Sequence, residues 1–187
     1  MDIYELPHLG KIVINSLKER YEAKTDFNGQ KTTLDLNFKG KSIERQSLDT
    51  VKKIINNLAD YNSAALTVIR DDYNTGDSIY DEDGSRFTVK DYIEDYLGNF
   101  DGDSEDNNPA IQEAVLSKLQ LIRVGFYPEN ENQFAVFEYT LAVELIDYLI
   151  EVFDYTLDEE QEQELILFVI VVNFKENGEV DSFTVEN

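Results

Sequence analysis

The chain has no cysteine and only one histidine, His8. Without thiols there is no disulfide framework, no thiolate metal site and no cysteine nucleophile. A single histidine cannot build a conventional zinc site, so any metal would rest on carboxylates, which suit Mg²⁺, Mn²⁺ or Ca²⁺. Bases are also scarce: 16 Lys and Arg stand against 39 Asp and Glu, a net charge of −23. Such a field repels phosphate backbones and anionic membranes, so neither nucleic acid nor a membrane is expected as a partner. The longest apolar run, Leu165–Val172, has 8 residues, far short of a bilayer span and suited to a buried strand. The opening MDIYELPHLGK lacks a basic segment followed by an apolar one, so no signal peptide is read and a cytoplasmic location is expected. The sequence holds no P-loop, no G-x-G-x-x-G and no G-x-S-x-G, which removes the usual signals for phosphate cradling and for a serine nucleophile.

What is present is apolar mass and acid. Hydrophobic residues make up 42% of the 187, with 11 Tyr and 11 Phe, enough for a core that needs no disulfide or metal staple. Residues 1–56 hold 8 acids and 10 bases, whereas residues 57–187 hold 31 acids and 6 bases. An acidic field attracts cations and basic proteins, and it raises encounter rates with a basic partner roughly 10–1000-fold at low salt. The same composition also serves plain solubility.

Periodicity places the elements. Gly10–Ser16 reads as a short strand. Asn28-Gly29 supplies the two positive-φ positions of a type I′ turn, which pairs Phe27 with Gln30, Thr25 with Thr32, Ala23 with Leu34 and Tyr21 with Leu36. Leu48, Val51, Ile54, Ile55, Leu58 and Tyr61 recur at helical spacing, with Ser47 as the expected N-cap. A second helix is expected from Ser63 to the NTGD turn. Asp83-Gly84 marks a hairpin or extended loop. Thr88 with Asp91 opens the helix VKDYIEDYL. Asn108-Pro109 starts another helix, with Ile111, Ala114, Val115 and Leu119 as its stripe. Strands follow at LQLIRVGFYP and QFAVFEYTL. A last hairpin around Asn177-Gly178 is expected to set Phe174 opposite Asp181 and Val172 opposite Phe183. Residues 143–155 fit either a strand or an amphipathic helix, and FEYTL (137–141) echoes FDYTL (153–157). Strands, then helices, then strands predict an α+β fold. The expectation is a single domain over 1–187, with an antiparallel sheet made from the hairpin 19–39 and a strand meander 119–187. The helical segment 47–118, with an acidic loop at 99–108, is expected to pack on one face.

Candidate sites thin out under ligand counting. An EF-hand needs acids at positions 1 and 12. Setting its glycine at Gly84 gives Asp81 and Asp83 two good positions but leaves Ile79 and Lys90 at the ends. Starting at Asp101 puts Asp106 where glycine belongs. Paired carboxylates such as Asp71/Asp72, Glu94/Asp95 and Glu138/Glu144 could do acid–base work, although 39 acids make close pairs commonplace. No catalytic residue, metal ligand or cofactor is therefore assigned. Aromatics interleaved with acids fit either a core with a wet face or a binding rim with buried anchors. On the second view the contact residues are Asp81, Glu82, Asp83, Asp101, Asp103, Glu105 and Asp106, flanked by Tyr80, Tyr92, Tyr96 and Phe100.

From LQLIRVGFYP through FAVFEYTL…ELIDYLIEVFDYTL to VIVVNFKENGEVDSFTVEN, roughly residues 119–187, the chain resembles a bacterial family of small acidic cytoplasmic proteins classed as a domain of unknown function. The resemblance implies a bacterial origin and a link to toxin-neutralising immunity proteins, and it carries no catalytic residues over. The expected function is non-enzymatic binding of a basic protein, as by an immunity-like inhibitor. A carboxylate-based hydrolase or other cation-dependent enzyme and a Ca²⁺-responsive module are the alternatives.

Overall fold

The fold is that of a computed structural model, which describes residues 2–14, 19–38, 43–75, 113, 116–141 and 169–186. Strands β1 (Ile3–Leu6) and β2 (Gly10–Val13) form a small antiparallel pair. Strands β3 (Arg20–Phe27), β4 (Gln30–Asn37), β5 (Leu119–Phe126), β6 (Ala135–Leu141), β7 (Val169–Phe174) and β8 (Val180–Glu186) form a six-stranded sheet in chain order. Between β4 and β5 come helices α1 (Arg45–Asn56) and α2 (Leu58–Thr75). The fold is α+β with a mostly antiparallel sheet. The expected hairpin or loop at Asp83-Gly84, the helix VKDYIEDYL, the Asn108-Pro109 start, residues 143–155 and the FDYTL echo lie outside the described residues.

The N-terminal hairpin has the register its turn dictates. Asn28 and Gly29 both take positive φ, at 51° and 82°, and Phe27, Thr25, Ala23 and Tyr21 face Gln30, Thr32, Leu34 and Leu36. A two-residue turn of this hand matches the twist of the flanking strands, so turn and alternation specify one pairing.

The antiparallel expectation needs correction at one seam. β4 and β5 run parallel, with Leu34 beside Val124 and Leu36 beside Phe126. Parallel neighbours need a long crossover, and residues 38–118, with α1 and α2 among them, provide it. Thr32 adds a tie across this seam, its hydroxyl donating to the Leu121 carbonyl at 2.9 Å.

The C-terminal hairpin also departs from expectation. Lys175 N–H donates to the Glu179 carbonyl, and Gly178 N–H donates to the Lys175 carbonyl, both at 2.9 Å. Gly178 alone in this turn has positive φ, at 90°. These bonds make a three-residue connection with a bulge glycine. Lys175 therefore faces Glu179, and the expected pairing of Phe174 with Asp181 slips by one residue. The Lys175–Asp181 ion pair at 3.0 Å, between residues on one face of the ribbon, agrees with the slipped register.

Helix α1 begins two residues before the expected cap. Glu44 is the N-cap without a side-chain bond, while Ser47 sits inside the first turn and its hydroxyl donates to Glu176 at 3.3 Å. Burial of Leu48, Val51, Ile54 and Ile55 fixes the helix phase. α2 likewise starts at Leu58, not at Ser63, because Asn57 ends one helix and begins the next. Its side-chain amide donates to the Lys53 carbonyl at 2.7 Å, and its own carbonyl accepts from Asp60 and Tyr61 N–H.

The chain divides into two compact units. The first comprises Met1–Ala65, Leu121–Glu138 and Val171–Phe183. Its core holds Leu34, Leu36, Leu48, Val51, Ile54, Val124, Phe126, Phe137 and Phe174, all fully enclosed. Phe137 and Phe174 meet at 4.9 Å between ring centres, and Tyr61 meets Phe174 edge-on at 5.5 Å. The second unit comprises Leu66–Gln120, Tyr139–Ile170 and Thr184–Asn187. Its buried residues include Ile69, Asp72, Tyr73, Leu116, Tyr139 and Ile170.

Candidate functional site

Alternation along β4 sends Asp35 to the face opposite Leu34 and Leu36. Its side chain is nevertheless fully enclosed. A buried carboxylate is costly unless it is paired and hydrogen-bonded, and the neighbouring strands supply both. From β5, Arg123 Nε donates to Oδ2 at 2.8 Å and Nη2 to Oδ1 at 3.0 Å, a two-pronged grip. From β3, Arg20 Nη2 donates to Oδ2 at 3.1 Å, and from β4 itself Asn37 Nδ2 donates to Oδ1 at 2.6 Å. Arg123 reaches on to Glu138 of β6 and to the Tyr127 hydroxyl. One polar chain thus links four consecutive strands within the first unit.

The cluster explains a glycine. Gly125 is the parallel partner of Asp35. A Cβ at Gly125 would lie 2.7 Å from Arg123 Nη2 and 3.0 Å from both Asp35 Oδ1 and the Tyr127 ring. Here glycine serves close approach of side chains, not backbone freedom.

Burial works against the charge of Arg123. Hydrogen bonds to Asp35 and Tyr127, with the charges of Asp35 and Glu138, outweigh it and hold the guanidinium above its ordinary pKa. Asp35 accepts four hydrogen bonds from cations and an amide, so its lone pairs are occupied. The arrangement works as a clamp across the β4–β5 seam.

A second polar feature lies at the β1–β2 turn. Leu9 N–H donates to the Pro7 carbonyl at 2.7 Å and His8 takes φ 62°, a γ-turn of the strained hand. His8 Nδ1 and Thr25 Oγ1 are hydrogen-bonded at 3.2 Å. Glu5, His8, Gly10 and Lys52 border a wide-open depression of about 440 Å³. Nearby, the Tyr4 hydroxyl donates to Asp49. That bond, then burial, raises the Tyr4 pKa.

The residues proposed from sequence as contacts, Asp81, Glu82, Asp83, Tyr92, Tyr96, Phe100, Asp101, Asp103, Glu105 and Asp106, all lie outside the described residues, as do Tyr80, Glu94, Asp95 and Glu144. Asp71 is exposed while its neighbour Asp72 is fully buried, so the two carboxylates do not share an environment. Glu138 is engaged by Arg123. The clamp itself escaped sequence reasoning, although a signal existed: Arg123 is the only base between Leu119 and Phe174, and an isolated base inside an apolar strand calls for a buried acid. Among the described residues no three His, Cys, Asp or Glu gather to hold a metal, and no helix is long and apolar enough to cross a membrane. Scans of protein-family models and searches of curated proteins and of solved structures return no match to this chain.

Proposed function

We propose that the chain is a non-enzymatic binding module for a basic protein, an inhibitor of the immunity type that covers a basic cleft in the cytoplasm. The observation that carries this reading is the division of charge between the units. The first unit holds 15 acids and 12 bases, a net of −3, and the second holds 24 acids and 4 bases, a net of −20. Solubility alone gives no reason to gather nearly all of the excess in one unit. A concentrated field of one sign accelerates and orients encounter with the opposite sign. The acids at Asp81, Glu82, Asp83, Asp101, Asp103, Glu105 and Asp106 supply steering, and Tyr92, Tyr96 and Phe100 supply anchors once contact is made. The sequence resemblance of residues 119–187 to small acidic bacterial proteins points the same way.

Affinity capture from an extract of the source organism, at about 50 mM and about 500 mM salt, tests the proposal. A basic protein recovered at low salt and depleted at high salt is the expected outcome. Recovery of neutral or acidic proteins only, or a catch indifferent to salt, overturns it.

A further inference from the structure

β3 is an end strand of the six-stranded sheet, and among the described residues no strand pairs with its outer edge. Its odd-numbered residues are committed to β4. Phe27 and Gln30 flank the two-residue turn, and at the far end Phe38 N–H donates to the Glu19 carbonyl at 3.0 Å. Antiparallel strands alternate the direction of their backbone groups, so N–H and C=O of Arg20, Glu22, Lys24 and Asp26 point to the outer edge. The side chains of these same four residues share one face, are exposed, and alternate in sign: plus, minus, plus, minus.

This stretch is its own complement. A second copy turned by half a revolution about an axis through Ala23 sets Arg20 opposite Asp26 and Glu22 opposite Lys24. Those residues are also the ones whose backbone groups are outward, so hydrogen bonding and charge select the same register. A shift of two residues is the smallest that keeps outward groups paired. In one direction it sets Glu22 against its own copy and Arg20 against Lys24; in the other it sets Lys24 against its own copy and Glu22 against Asp26. Like charges directly opposite are unfavourable, so the pattern admits one pairing and rejects its neighbours.

We propose that β3 is a homodimer seam, along which two copies pair antiparallel from Arg20 to Asp26 and join their sheets edge to edge. β3 lies wholly in the unit that carries only −3, so charge opposes this contact least on that unit. Within one chain Arg20 contacts Glu22 at 2.8 Å and Lys31 contacts Asp26 at 2.7 Å. All four side chains are about half exposed or more, at 57%, 48%, 71% and 66%, so these exposed pairs exchange at small cost, while Arg20 keeps its bond to the buried Asp35. Lys24 makes no ion pair among the described residues.

Sedimentation velocity from about 1 to about 200 μM protein tests the seam, because a strand pair this short makes a weak, concentration-dependent dimer. The wild type is expected to dimerise at low salt. Lys24→Glu sets like charges opposite at two symmetry-related places and is expected to weaken the dimer roughly tenfold or more. The swap Glu22→Lys with Lys24→Glu restores both opposite-charge pairs and is expected to recover it, which guards against a single variant that merely misfolds. A wild type that stays monomeric throughout, a Lys24→Glu protein that dimerises unchanged, or a folded double swap that does not recover overturns the proposal.

Discussion

In the first unit 15 acids meet 12 bases, and its fully buried Asp35 is gripped by Arg20 and Arg123; in the second, 24 acids meet only 4 bases. The contrast separates two uses of charge. A paired, enclosed charge fixes strand neighbours, because losing one partner strands the other in a poor solvent. An unbalanced excess contributes nothing comparable to stability; it repels itself and acts at a distance on whatever approaches. Substitutions in the enclosed Asp35 cluster of the first unit should therefore destabilise the fold, whereas charge removal in the second should leave folding alone and change association.

The largest expected effect is Arg123→Met. It strips the fully buried Asp35 of its two-pronged partner, leaving only the single Arg20 contact and the Asn37 amide, and should cost about 3–5 kcal/mol in urea unfolding. The double variant Arg123→Met with Asp35→Leu should recover much of that, since a well-packed apolar pair replaces a buried ion pair at little net cost. Gly125→Ala should follow at about 1–3 kcal/mol, because its Cβ would press on the guanidinium and the carboxylate together.

A smaller effect tests the second unit on its own ground. Burial raises the Tyr139 hydroxyl well above its ordinary pKa of 10.0. The raised value means that the folded state keeps a proton the unfolded state gives up. The contribution is whole below pH 10 and is lost as pH climbs from there toward the folded value, at up to about 1.4 kcal/mol per pH unit. Tyr139→Phe should flatten that alkaline decline in thermal or urea unfolding, and with no cysteine in the chain thiol ionisation cannot mimic it. The smallest effect on stability is expected from converting Asp101, Asp103, Glu105 and Asp106 to Asn and Gln. Urea unfolding should move by no more than about 0.5 kcal/mol, even though four charges are gone.

The two Asn-Gly turns show what could be read locally. At Asn28-Gly29 both residues take positive φ, and the register follows from the dipeptide. At Asn177-Gly178 only the glycine does. There Glu176 N–H donates to the Glu131 carbonyl, and Asn177 Oδ1 accepts from Glu179 N–H. These bonds favour the longer turn, and the pairing beside it slips by one residue. Helix phase was legible because Leu48, Val51, Ile54 and Ile55 must share a face; helix ends were not, because Glu44 and Asn57 set them through backbone geometry. Asp35 and Arg123 stand 88 positions apart. Alternation gives the face of each but not their adjacency, which depends on a parallel seam that no local pattern announces. The acids proposed as contacts were legible only as a charge total.

The claim that the second unit steers a basic partner is tested most directly by the association rate of the captured protein. It should be followed by stopped flow from about 0.05 to about 0.5 M salt, with the wild type and with the Asp101, Asp103, Glu105, Asp106 neutralised variant. The wild-type rate should fall at least about tenfold across that range, and the variant should start lower and fall less steeply. A wild-type rate that is flat with salt, or a variant indistinguishable from it, would contradict the account.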